Sequence, residues 1–177
     1  MSLVGFRAQN HPQQTRFRAA AKDEIDDRAT TLEVFEPLNE RFRFTVDVAA
    51  AAHNTKLPRF YDRDEDGLQH GWGSERVWCN PPYSDIRPWV EKAWEEWDTW
   101  PPDAPATADL IVMLLPANRT EQKWWQELVE PHLRAKRSDF HCEFLSGRMR
   151  FLRAGQTEIG PNERPPFGVC LLIWQRQ

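Results

Sequence analysis

The stretch Val77-Trp78-Cys79-Asn80-Pro81-Pro82-Tyr83-Ser84-Asp85-Ile86-Arg87-Pro88-Trp89-Val90 decides how this chain folds. Val77 to Cys79 is a short apolar run that stops at two successive prolines. Neither proline can donate to a sheet ladder, so the spacing predicts a strand that ends at Asn80. Ser84 or Asp85 then caps a helix, because Ile86, Trp89, Val90, Ala93, Trp94 and Trp97 fall at i, i+3, i+4, i+7, i+8 and i+11. Pro88 is tolerable there because it lies in the first turn.

Working outward, Phe42, Phe44, Val46 and Val48 alternate as one face of a strand that carries Asp47 to its C-terminal end. Before it, Leu32, Phe35 and Leu38 recur at three-residue spacing behind Thr30 and Thr31, either of which caps a helix that Pro37 should kink or shorten. Residues 1–27 are polar and show little apolar periodicity, which predicts a mobile arm ahead of a single domain over 28–177. Downstream, three prolines between Trp100 and Ala108 mark a loop, and Leu110 to Leu115 reads as a strand buried on both faces. Thr120 caps a helix burying Trp124, Trp125, Leu128 and Val129; Phe140, Cys142 and Phe144 alternate; Gly168 to Trp174 forms a last strand. Strands alternating with helices predict an α/β fold, a mainly parallel sheet with helices on both faces. Ligands of such folds bind beyond the C-terminal strand ends, where Asp47, Asn80 and Pro116 converge.

Composition narrows the function classes. A chain of 177 residues holds one full-sized core, and 40% apolar with 28% charged residues is ordinary for a soluble globular protein. No apolar run approaches a membrane span, and no secretory signal is expected. Cys79, Cys142 and Cys170 are widely spaced and form neither a disulfide framework nor a zinc pair, and His53 and His70 lack partners at ligand spacing. A reduced cytoplasmic protein without metal is expected. The formal net charge of −4 argues against a protein that coats nucleic acid but allows local basic surfaces. Three such clusters occur: Arg7, Arg16 and Arg18; Arg134, Lys136 and Arg137; and Arg148, Arg150 and Arg153.

The tetrapeptide Asn80-Pro81-Pro82-Tyr83 suits one chemical problem well. An exocyclic amine on a purine is a poor nucleophile because its lone pair is delocalised into the ring. Two acceptors aimed at its two hydrogens push the nitrogen toward tetrahedral geometry and stabilise the charge that develops on it. Asn80 supplies a side-chain oxygen, Pro81 a backbone carbonyl, and the paired prolines pre-aim that carbonyl by fixing φ. Tyr83 offers a face on which a base extruded from a duplex can stack.

From about Thr30 to Trp174 the sequence resembles the small phage-type, Dam-like DNA N6-adenine methyltransferases. The resemblance runs through Phe44-Thr45-Val46-Asp47-Val48-Ala49-Ala50, Asn54, Lys56, Tyr61, Asp66-Gly67-Leu68, Trp72, Val77 to Ser84 and Trp89. It continues in Leu114-Leu115-Pro116-Ala117, Gly147-Arg148-Met149-Arg150-Phe151 and the apolar C-terminal strand. It implies a Rossmann-like methyltransferase fold, S-adenosylmethionine as cofactor and double-stranded DNA as partner. Asp47 with Ala49 and its neighbours would form the methionine and ribose side of the cofactor pocket, which Asn54 and Asp66 would also line. Arg148 and Arg150 would contact phosphates. Two departures stand out: Ala49 to Ala52 replace a glycine-rich turn, and Arg28-Ala29-Thr30-Thr31 stands where the family tends to carry Trp-x-Thr-Pro. Only the threonine is retained, which leaves Thr30 as the candidate contact there. If the chain is phage-encoded, it acts in the host cytoplasm.

Two other functions share these residues. Asn-Pro-Pro-Tyr also serves methyltransferases that act on the side-chain amide of protein glutamine, whose planar NH2 poses the same problem. A methyltransferase fold without catalysis, binding DNA or a host protein, is the second. Neither the recognition sequence nor the oligomeric state is written in these residues.

Overall fold

The computed structural model describes residues 26, 28–98, 107–147, 149, 151–153 and 167–176. In chain order its elements are β1 (Arg28–Thr30), α1 (Leu32–Phe42), β2 (Val46–Asp47), β3 (Arg76–Cys79), α2 (Arg87–Asp98), β4 (Leu110–Pro116), α3 (Lys123–Leu128), α4 (Glu130–Arg134), β5 (Phe140–Phe144), β6 (Phe151–Arg153) and β7 (Val169–Gln175). The expected arm, apart from Asp26, and most of the expected proline loop lie outside the described residues.

Five strands make one sheet in the order β2-β3-β4-β7-β5. β2, β3 and β4 are mutually parallel, β7 is antiparallel to β4, and β5 is antiparallel to β7. Four of the five strands therefore point the same way, and the sheet is mainly parallel as expected. All seven residues of β4 are buried because this central strand is covered on both faces. Ile111, Met113 and Leu115 pack with the tryptophans of α2 and α3, while Leu110, Val112 and Leu114 pack with Phe35, Leu38 and Phe42 of α1. Helices thus cover both faces of one α/β sheet.

The segment before Asp47 departs from its sequence reading. Phe42 closes α1, Arg43 adopts the left-handed conformation (φ 52°) as its C-cap, and β2 is only Val46–Asp47. Phe42, Phe44, Val46 and Val48 are all buried, but the first two join the core under α1 and the last two join the core under α2. The alternation ran across a helix cap and two cores, so it mimicked one strand face. Pro37 does not shorten α1: it lies on the exposed side, where the carbonyl that loses its intrahelical donor can turn to water.

Neither expected threonine cap uses its side chain. Thr31 occupies the N-cap of α1 without a side-chain bond, and Gln122, not Thr120, precedes α3. The helix expected across Val129 divides there into α3 and α4, because Pro131 in the first turn of α4 has no N–H to continue α3. β1 and β6 form a separate two-stranded antiparallel sheet with Thr30 opposite Phe151. Strands of three residues carry too little periodicity to be read from sequence.

Candidate active site

Asp47 ends β2 and is held on both flanks. Val48 donates its N–H to the Trp78 carbonyl on the β3 side, at 3.0 Å. On the other flank Asp47 N–H reaches the Arg59 carbonyl at 3.0 Å, and Tyr61 N–H reaches the Asp47 carbonyl at 2.9 Å. The carboxylate, in a residue only 4% exposed, accepts Ala49 N–H at 3.4 Å. Burial pushes its pKa up to about 7, against the opposing effects of the Ala49 N–H and the nearby Lys56. Lys56 is itself shifted down by burial, with the charge of Asp47 opposing, and it donates to the Asn54 carbonyl at 2.8 Å.

The loop from Ala49 to Gly67 forms one wall. Asn54 accepts the Ala51 N–H at 2.7 Å through its side-chain oxygen, so it shapes the alanine turn that stands where a glycine-rich turn is more usual. Asp66 sits at φ 53° and accepts the Leu68 N–H at 3.2 Å. Gly67 is required by space: a Cβ there would lie 2.0 Å from the Val48 carbonyl oxygen. The Trp72 indole N–H, fully buried, donates to the Gly67 carbonyl at 3.0 Å and holds that close approach.

Asn80 follows β3, and its side-chain oxygen is buried. Pro81 is buried beneath the loop, and the Pro82 carbonyl accepts Asp85 N–H at 3.2 Å, turning the chain toward α2. Asn80 and Pro82 border a cleft of about 640 Å³ together with Ala49, Asn54, Asp66 and Trp89. That volume is in the range of small-molecule sites. A small adjoining recess brings Thr30, Asp47, Lys56 and Trp78 to Asn80. The Thr30 hydroxyl is buried without a hydrogen-bond partner among the described residues. A buried orphan hydroxyl beside a buried carboxylate is costly unless a polar ligand engages both.

Residues 18–177 match the DNA N-6-adenine-methyltransferase (Dam) family. The chain belongs to that family. A protein of Escherichia phage T1, described as a DNA N-6-adenine-methyltransferase, is 33% identical over 101 residues, covering 56% of this chain and 39% of the phage protein. A second, from Haemophilus phage HP1 (strain HP1c1) and described in the same words, is 35% identical over 74 residues, covering 41% and 43%. The chain thus spans less than half the length of either curated relative in these matches. A solved structure described as a candidate RNA methyltransferase from Pyrococcus horikoshii aligns with TM-score 0.45 and 13% identity over 82% of this chain and 80% of that one.

Within this Dam-family chain, the cleft and its recess bring together Thr30, Asp47, Ala49, Asn54, Asp66, Asn80 and Pro82 of the residues singled out from sequence. Tyr83 does not border either. Its ring meets Phe151 edge-on, 6.1 Å between centroids at 89°, and lies tilted against Phe167 at 6.2 Å. Of the two tryptophans flanking the motif, Trp78 borders the recess whereas Trp72 serves the Gly67 turn. Arg148 and Arg150 lie outside the described residues. Arg137, from another basic cluster, is locked by Asp98 and Asp139 at 2.8 Å and stacks over Trp94. Arg134 pairs with Glu130 at 2.8 Å, so this cluster is largely committed within the fold.

Sequence reading missed Asp26, Lys56 and Trp89 at the site. Trp89 was legible as a core residue of α2 and as part of the family resemblance but not as a site residue, and Asp26 fell within the presumed arm. Among the described residues no His, Cys, Asp and Glu group is arranged to hold a metal ion, and no helix is long and apolar enough to cross a membrane.

Proposed function

We propose that this chain transfers a methyl group from S-adenosylmethionine to N6 of an adenine in double-stranded DNA, in the cytoplasm. The observation that carries this reading is the opening of Asn80 and Pro82 onto the same cleft as Asn54, Asp66 and Ala49, beside the recess of Asp47 and Thr30. Family membership supports DNA adenine as acceptor over protein glutamine.

The residues fit the cofactor. Asp47 is a buried carboxylate that a cationic ligand would draw into its ionised form, and the Thr30 hydroxyl has bonding capacity to offer. Ala49, Asn54 and Asp66 shape the wall against which the ligand would lie. S-adenosylmethionine supplies an electrophilic methyl carried on a sulfonium sulfur. Asn80 accepts one N–H of the target amine through its side-chain oxygen, and the Pro81 carbonyl accepts the other. Both interactions strengthen as positive charge builds on the nitrogen, so they act chiefly in the transition state. Tyr83 supports the extruded base, its ring plane fixed by the edge contact with Phe151. Arg148 and Arg150, which flank Met149, are assigned to phosphates.

The test is transfer from labelled S-adenosylmethionine to unmethylated duplex DNA, followed by nucleoside analysis. N6-methyladenine with the native chain, and none with Asn80→Ala at unchanged cofactor affinity, is expected. Label that appears in protein and not in DNA would overturn the acceptor, and absence of cofactor binding would overturn the enzyme.

A further inference from the structure

We propose that Asp26 is a positioning residue for this reaction, clamping the loop that carries Asn80 to Tyr83 from a place beside the cofactor cleft. The inference rests on the function proposed above and adds a residue to it.

Asp26 lies two residues before β1, yet its carboxylate engages Ser84, 58 residues away. One oxygen accepts the Ser84 N–H at 3.0 Å, and the other accepts the Ser84 hydroxyl. Ser84 directly follows Tyr83, so this two-point grip fixes the backbone just beyond the tetrapeptide. Asp26 also borders both the cleft and the recess, as do only Ala49, Asn54 and Asn80 besides it among the described residues.

The small antiparallel sheet explains how the grip is held. Asp26 meets Ser84 just ahead of β1, which brings Thr30 to the recess, and its partner β6 places Phe151 against the Tyr83 ring. Two successive loop residues, Tyr83 and Ser84, are thereby held by one strand of that ladder and by a residue just ahead of the other. Prolines stiffen the loop from within, but they leave its tilt relative to the cleft undetermined. The Asp26 bonds set that tilt from outside. Since misplacement by about 1 Å of an acceptor costs on the order of a hundredfold in rate, such a clamp acts on turnover through Asn80 and Pro81 without touching the base.

The experiment uses the full chain, with single-turnover methylation of duplex DNA, cofactor titration and thermal melting for Asp26→Ala, Asp26→Asn, Ser84→Ala and the double alanine variant. Asp26→Ala should slow methyl transfer about ten- to a hundredfold, with a melting temperature within a few degrees of the native chain. Ser84→Ala should slow it less, because its N–H remains. The double variant should be no slower than Asp26→Ala, as expected for two residues acting as one unit. Asp26→Asn should recover part of the rate, since its amide oxygen still accepts the Ser84 N–H. Hydrogen exchange across residues 80–85 should rise in Asp26→Ala. Losses that multiply in the double variant, or a native rate in Asp26→Ala, would overturn the clamp while leaving the methyltransferase reading intact. A native chain that binds cofactor yet methylates no DNA would overturn that reading and the positioning role of Asp26 with it, even where exchange still reports the grip on Ser84.

Discussion

At the scale of single residues, Asp47 joins two opposing demands. Its burial raises the pKa to about 7, so the folded chain holds that proton far more tightly than an unfolded chain, whose aspartate titrates near 3.8. The linkage sign follows: the stability contribution is fully present below about pH 4 and is lost as pH rises through about 7. Asp47→Asn should abolish that loss, leaving the variant more stable than the native chain at pH 8 by up to about 4 kcal/mol, measured by urea unfolding between pH 4 and 9. The same change should weaken S-adenosylmethionine binding at least tenfold, and native affinity should itself decline below pH 7 as the carboxylate is protonated. A variant that is less stable at pH 8, or that binds cofactor normally, would remove Asp47 from this role. Gly67 answers a different constraint. Since a Cβ would lie 2.0 Å from the Val48 carbonyl oxygen, Gly67→Ala must displace backbone and should cost about 1–3 kcal/mol, read as a lowered denaturation midpoint with weaker cofactor binding. The sequence made Asp47 visible as a strand-end carboxylate and Asp66-Gly67 as a turn. It could not show the burial of the first or the close approach of the second, because both depend on segments that meet only in the folded chain.

At the scale of elements, legibility tracked length and continuity of pattern. The apolar stripe of α2 and the unbroken run of β4 were readable because each repeats one environment over at least two turns or a whole strand. The stretch from Phe42 to Val48 was misread because its side chains alternate across a left-handed cap at Arg43, entering first one core and then the other. β1 and β6 escaped because three residues display no period, and with them went the placement of Asp26 and the partner of Tyr83. That small sheet is nonetheless where an element-scale test is sharpest. Phe151, 3% exposed, contributes both core volume and the edge that orients the Tyr83 ring. Phe151→Leu keeps most of the volume and should cost less than about 1.5 kcal/mol, but it removes the aromatic edge. The expected outcome is a nearly native melting temperature with a reduced kcat and little change in cofactor affinity. An unchanged kcat would mean that the Tyr83 ring is oriented by other contacts.

At the scale of the whole molecule, the sheet gathers distant pieces of chain at one edge. Four strands share a direction, so the ends of β2 and β3 present Asp47 and Asn80 together, with the Ala49–Gly67 loop and Asp26 beside them. The interior of β4 and β7 needs no ligand to be stable, being apolar and paired along its full length. The site differs: it holds a carboxylate whose burial disfavours its charge and a hydroxyl lacking a partner among the described residues. Ligand binding should therefore stabilise the molecule unevenly. At a hundredfold excess over its dissociation constant, S-adenosylmethionine should add about 2.7 kcal/mol to the unfolding free energy. Hydrogen exchange should slow most across residues 47–67 and 80–85 and least within β4 and β7, whose opening already approaches global unfolding. Asn80→Ala should retain that stabilisation, because its role lies in the transition state, whereas Asp47→Asn should lose most of it. Protection spread evenly over the sheet, or an equal loss in both variants, would mean that cofactor binding and methyl transfer are not divided between Asp47 and Asn80 as the geometry of the cleft divides them.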